Sequence, residues 1–166
     1  MIITFYFIIS WMMAGLVLFN QNKTSCSIRD TSFLFLLTCL INSHVYLGLF
    51  ETFKWIETTT DPKHYIAFLF FRSVFSPCFV TYVTLLIFHN PLKKKILFVV
   101  LYSGIIIILD KIGVDGHLYS FTKWNLFLTF SYYLLLLFFS ILTLKWFRGL
   151  KEPEVKKVDD VGGKRI

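Results

Sequence analysis

An all-α integral membrane bundle of five transmembrane helices, N-terminus outside and C-terminus inside, is the fold this sequence predicts. Three observations carry that expectation. Of 166 residues, 56% are apolar and 19% aromatic, and only 16% are charged, against about a quarter in a soluble domain. Apolar runs of the length needed to cross hydrocarbon recur along the chain. Cations are shared unequally between alternate connecting segments, as the positive-inside rule requires. The 20 Phe residues would leave large sticky patches in a small water-soluble core, so lipid is the expected solvent for most side chains.

The first run, IITFYFIISWMMAGLVLF (2–19), has no Lys or Arg before it. It is too long for a signal-peptide core and is followed by no small-residue cleavage site, so a span rather than a leader is expected. The second is SFLFLLTCLINSHVYLGLF (32–50) and the third YIAFLFFRSVFSPCFVTYVTLLIF (65–88). The fourth, ILFVVLYSGIIIIL (96–109), is short. It reaches spanning length over 91–110 if Asn90 caps it, Pro91 opens it, and Lys93, Lys94 and Lys95 snorkel to lipid headgroups. The fifth, LFLTFSYYLLLLFFSILTL, extends to about 125–146 with Trp124 and Trp146 as interfacial brackets. Residues 1–147 thus form one transmembrane domain. The remainder, 148–166, mixes charges of both signs with a Pro and two Gly and reads as a flexible basic cytoplasmic tail.

Orientation follows from the cations. With the N-terminus outside, inner segments hold Lys23, Arg29, Lys93–Lys95 and seven cations from Lys145 to Arg165, twelve in all. The outer loops hold four: Lys54, Lys63, Lys111 and Lys123. Glu51, Glu57, Asp61, Asp110 and Asp115 all fall outside. The net charge of +7 therefore points to anionic lipid headgroups, each nearby cation adding about 1 kcal/mol, and not to nucleic acid.

Arg72, the seventeenth cation, lies inside the third span, and Pro77 follows it. An arginine at a span's centre costs about 2.5–3.5 kcal/mol on insertion scales. Either it snorkels outward or it faces the bundle interior with a partner. His44 and Glu51, seven residues apart on the second span, share a helical face, with Gly48 between them allowing close approach. His44 and Arg72 each lie about 10 Å below the outer surface. With Asp110 closing the fourth span and Asn125 opening the fifth, five groups of the outer half form a candidate intramembrane polar cluster: Arg72, His44, Glu51, Asp110 and Asn125. Pro77 deprives the Ser73 carbonyl of its helical donor and is the candidate kink. Thr38 and Asn42 are expected to be interhelical hydrogen-bond glue.

Other chemistry is poorly represented. Cys26, Cys39 and Cys78 form no C-x-x-C pair, and His64, His89 and His117 have no metal-ligand spacing. No cofactor or metal site is expected. GVDG (113–116) reads as a Gly-flanked turn. Catalytic motifs are lacking, and no loop exceeds about fifteen residues.

The stretch DKIGVDGHLYSFTKWNLFLTFSYYLLLLFFSILTLKWF (110–147) resembles the last segment of small multi-pass membrane proteins of Bacillus-like, spore-forming bacteria. These join a short Gly-containing loop and K-W-N to an aromatic-rich final helix ending near W-F. The Arg-then-Pro third span with its short basic loop is similar as well, so the resemblance covers roughly half the chain. It implies a bacterial cytoplasmic-membrane protein of a family with no assigned activity, and it carries over no catalytic residue. The Trp- and Pro-rich signatures of the five-span tryptophan-rich sensory proteins are missing.

Three functions compete on this basis. The first is a non-enzymatic accessory or structural component contacting another membrane protein or a second copy of itself. The second is a small transporter or channel subunit with an outward-facing polar pocket around Arg72, His44 and Glu51. The third, a membrane enzyme using His44 and Glu51 as an acid–base pair, has least in its favour.

Overall fold

The computed structural model describes residues 2–21 and 27–150, apart from the side chains of Asn20, Gln21 and Leu92. The expectations for Lys23, for Cys26 and for the tail from residue 151 onward lie outside these residues. The chain is all-α, with five helices long and apolar enough to cross a membrane. They are α1 (Ile2–Gln21), α2 (Ile28–Thr52), α3 (Pro62–His89), α4 (Leu92–Asp115) and α5 (Leu126–Gly149). Two three-residue strands, β1 (Ile56–Thr58) and β2 (Tyr119–Phe121), complete the described fold.

Helix ends follow their caps. Ser27 accepts from the Arg29 amide and starts α2 at Ile28, four residues ahead of the expected Ser32. Asp61 accepts from the Lys63 amide at 3.1 Å, and Pro62, which has no amide to satisfy, takes the first position of α3. Asn125 accepts from the Leu128 amide at 2.8 Å and opens α5. The expectation for α4 is corrected at both ends. Asn90 does not cap it; its carboxamide donates to the Leu86 carbonyl and closes α3, leaving Pro91 before α4. At the other end α4 runs on to Asp115, so Asp110 lies inside it, and of GVDG the first three residues are helix while Gly116 begins the turn.

The helices pack around α3. It touches all four others, and 61% of its span is buried, against 22–33% for the rest. Leu18, Leu40, Val100, Leu135 and Phe138 on the surrounding helices are more than half exposed. The antiparallel ribbon pairs Ile56 with Phe121 and Thr58 with Tyr119. It ties the α2–α3 connection to the α4–α5 connection, so both lie at one end of the bundle, here the ribbon end. The Trp55 carbonyl reinforces it by accepting from the amides of Thr122, Lys123 and Trp124. Lys93–Lys95, in the first turn of α4, lie at the opposite, lysine end.

At the close of α4, the Gly116 and His117 amides return to the Ile112 and Val114 carbonyls. The left-handed residue there is His117 (φ 57°) rather than the glycine before it (φ −86°). That conformation costs an L-residue about 1–2 kcal/mol, while glycine loses roughly 0.5–1 kcal/mol of extra backbone entropy. His117→Gly is expected to gain about 0.5 kcal/mol net, and His117→Val to fall below the parent because a β-branched residue resists positive φ. Thermal melts in detergent should rank Gly above His above Val.

The α3 cap predicts an acid response. The Lys63 amide, and secondarily His64, whose ring nitrogen lies 2.6 Å from the carboxylate, hold Asp61 below its usual 3.8. A depressed carboxylate stabilises the fold fully above its unfolded value and loses that contribution as pH falls through its lowered folded value. Protection of the Lys63 amide against exchange, relative to its intrinsic rate at each pH, should therefore fall below about pH 4, and Asp61→Asn should remove that pH dependence.

Candidate functional site

The polar interior is built around a defect in α3. Residues Phe71–Phe75 form a π-helical turn in which the Ser76 amide bonds to the Phe71 carbonyl. That takes away the donor that an α-helix supplies to the Arg72 carbonyl, and the donor one position further on would come from Pro77, which has none. Pro77 also removes the α-helical donor of the Ser73 carbonyl. α2 supplies side-chain donors to both carbonyls. Asn42 Nδ2 donates to Arg72 O at 2.6 Å, and the Cys39 thiol donates to Ser73 O at 3.7 Å. Cys39 and Asn42 stand three residues apart, so one face of α2 meets both orphaned groups. The helix distortion expected at Pro77 thus takes the form of a π turn on its N-terminal side.

A lattice of hydroxyls extends from this point. Tyr132 donates to Asn42 Oδ1 at 2.8 Å, completing that carboxamide. Ser76 donates to the Tyr133 hydroxyl at 3.1 Å, and Tyr46 and Tyr133 share a bond of 3.2 Å. Tyr102 donates to the Tyr133 carbonyl at 3.4 Å. These groups link α2, α3, α4 and α5 through side chains that are buried, apart from the half-buried Tyr132. Glue was expected of Asn42 and Thr38; Asn42 provides it, whereas the Thr38 hydroxyl returns to the Leu34 carbonyl of its own helix.

A second polar centre lies under the ribbon. Asp110, 2% exposed, accepts from the Tyr119 hydroxyl and is bonded by Thr129. Thr129 in turn accepts from the Trp124 indole at 2.8 Å. Burial, and then the neighbouring Asp110, hold the Tyr119 hydroxyl protonated far above its usual range, so it serves as a donor. Gly113 is needed here: a Cβ at that position would lie 2.9 Å from the Tyr119 ring. Tyr6 of α1 donates to the Leu109 carbonyl at 2.6 Å and fastens α1 beside the same turn.

The five residues of the expected cluster do not converge. Arg72 is half-buried and leans on α2. One guanidinium nitrogen donates to the Ser43 carbonyl at 3.0 Å, and the group lies 4.9 Å from the Tyr46 ring centre. His44 is exposed, its Nδ1 2.8 Å from the Leu40 carbonyl of its own helix. Glu51 is exposed on the π turn Gly48–Thr52 that ends α2, beside a shallow polar cleft of about 380 Å³ with Lys54 and Glu57. Asn125 is committed to its helix cap, and Asp110 belongs to the separate centre under the ribbon. Shared depth fixed none of the azimuths, which is why the grouping fails.

One pair was not anticipated. Asp30 of α2 and Arg148 of α5 meet at 2.9 Å near the lysine end, with Arg148 also 4.4 Å from the Phe88 ring. A signal was available, since five antiparallel spans put the start of the second and the end of the fifth at one end. Lys93 and Lys94 are exposed and Lys95 half-buried. Among the described residues no group of three His, Cys, Asp or Glu side chains is placed to hold a metal ion.

Comparison with protein-family models, with characterised proteins and with solved structures finds no match to this chain. Its class is therefore defined by its own architecture: a five-helix bundle of membrane-spanning proportions with an internally bonded polar core.

The capping of α3 by α2 makes a double-mutant cycle informative. Asn42→Ala leaves the Arg72 carbonyl without its donor and should cost about 1–2 kcal/mol. In a Pro77→Ala background the restored amide can take that carbonyl, so the cost of Asn42→Ala should drop by at least half. Equilibrium unfolding in mixed micelles gives the four values.

Proposed function

We propose that this protein is a multi-pass component of a bacterial cytoplasmic membrane, N-terminus outside, that acts as a non-enzymatic accessory subunit through contacts with other membrane proteins. One observation carries the proposal: a connected set of interior polar groups is engaged in joining helices to one another. Asn42, Tyr132 and Tyr133 bond side chain to side chain or to backbone, Asp110 is held by Tyr119 and Thr129, and Arg72 rests on a carbonyl and a ring. In lipid such internal bonding is what holds a bundle together.

The ribbon end then faces outward, and Lys93–Lys95 with the Asp30–Arg148 pair face the cytoplasm, where the lysines contact anionic headgroups. The resemblance of the last segment to membrane proteins of spore-forming bacteria supports the compartment. The transporter alternative needs Arg72, His44 and Glu51 around one aqueous pocket; the exposed positions of His44 and Glu51 give it less support than the accessory role.

Two measurements test the proposal. Topology reporters fused to each end should place the N-terminus outside and the C-terminus inside; both on one face would overturn the layout. Extraction in mild detergent or polymer nanodiscs should recover a second membrane protein, or a second copy, in fixed stoichiometry. Repeated recovery of the monomer alone would sink the accessory role.

A further inference from the structure

We infer that the trough between α1 and α2 receives one transmembrane helix of a partner protein, whose Asp or Glu carboxylate pairs with Arg72. The inference rests on the accessory role proposed above and specifies its contact surface. α1 and α2 each lean on α3 and scarcely touch one another, leaving a channel floored by α3.

Arg72 borders this trough as a cation with no acidic partner. The ion pairs among the described residues are His64–Asp61 and Arg148–Asp30, and Nε of Arg72 is buried without a hydrogen bond. Its fixed neighbours are a neutral carbonyl and the faces of Tyr46 and Phe50. They stabilise a guanidinium without neutralising it. Around it the Ser43 and Ser73 side chains are exposed and Cys39 half-buried. These are small polar groups of the kind that admit a close helix and bond to it.

Farther along the same walls is an apolar hollow of about 210 Å³, lined by Ala14, Val17, Leu18, Thr31, Phe35 and Cys78. Phe35 and Ser43 stand eight residues apart on α2, so hollow and cation lie about two turns apart on one face. A cavity of roughly 150 Å³ admits a benzene ring, so the hollow takes one aromatic or long aliphatic side chain. The complementary surface is thus a helix with a carboxylate and, about seven positions away, a large apolar residue.

Depth favours a carboxylate on a helix over a lipid phosphate. Arg72 lies seven residues past Tyr65, where the apolar run of α3 begins, so it is rooted about 10 Å inside the ~30 Å hydrocarbon core. The Ser43 carbonyl and Tyr46 ring hold its guanidinium sideways against α2.

The test uses designed Leu/Ala transmembrane peptides with a central Glu and a Phe seven residues to either side, against the same peptides with Gln. Association with the full chain in phosphatidylcholine vesicles is read by energy transfer from its tryptophans to a dansyl label. One Glu peptide should bind at least tenfold more tightly than its Gln counterpart, and Arg72→Gln should erase that difference. Ser73→Trp, at an exposed position that leaves Arg72 in place, should block both peptides and serves if Arg72→Gln unfolds. Ala14→Trp, filling the hollow, should weaken both while preserving the preference for Glu.

Equal binding of Glu and Gln peptides overturns the inference, as does a Glu preference that survives Arg72→Gln and Ser73→Trp. Retention of phosphatidylglycerol that depends on Arg72, with no Glu preference, also overturns it and makes the site a headgroup site. The peptides report on the trough alone, so their failure is distinct from failure to recover a natural partner.

Discussion

A backbone carbonyl in apolar surroundings must be given a donor, and this bundle is organised by two that α3 leaves bare. The π turn diverts the Ser76 amide to Phe71, and Pro77 has no amide of its own. The Arg72 and Ser73 carbonyls then face α2 instead of their own helix. Leaving such a group buried and unbonded costs several kcal/mol where water is excluded. Asn42 and Cys39 therefore fix both the azimuth and the axial register of α2 on α3. A slide of one residue in either helix would break both bonds. Because Asn42 also accepts from Tyr132, the register chosen at α3 passes to α5, and Tyr133 carries it to Tyr102 of α4. The irregular helix is consequently the central one. In an outer helix those carbonyls could have faced away from the bundle, with no neighbour to supply a donor.

The ends of the bundle are secured differently. Under the ribbon, a buried carboxyl gathers hydroxyl donors from a strand and a neighbouring helix, so Asp110 closes the ribbon down on α4 and α5. At the lysine end, Asp30 and Arg148 join the first turn of α2 to the last turn of α5. Each charge there sits at the helix terminus whose dipole favours it, negative at an N-terminus and positive at a C-terminus. The Phe33 and Phe147 rings of the same two helices stack 4.2 Å apart. α1 is the exception. Its principal packing is against α3, and its polar tie is Tyr6 to the Leu109 carbonyl.

The five helices were legible because uninterrupted apolar runs of spanning length have few alternative structures. Their ends were less so. Asp110 read as a terminus because an isolated carboxylate does not belong in an apolar run. Its hydroxyl partner Tyr119 comes from beyond the helix, and no local pattern reports that contact. The polar cluster failed for a related reason. Spacing gives a residue's depth and the residues sharing its face, but not where that face points. His44 and Arg72 were matched in depth and diverge in direction. The stripe Thr38, Asn42, Tyr46, at four-residue intervals on α2, was the better clue, since a polar row in an apolar helix marks the side turned to other helices.

That difference in direction gives Arg72 its meaning. Had it faced the core, Asp110 would have been its natural counterpart, and the charge would count as internal. It is instead half-buried beside α2, held by a carbonyl and an aromatic face. Neither neutralises a charge, yet both fix its position. A side chain that only had to escape hydrocarbon would be better left free to reach the headgroups. Fixing an unneutralised guanidinium in place costs conformational entropy and leaves its field uncancelled. That cost is offset when an opposite charge arrives at a fixed distance, because the geometry is then already prepared. The bundle's other buried charged groups, Asp30 and Asp110, already have partners within it, so Arg72 is the charge left for an outside counterpart.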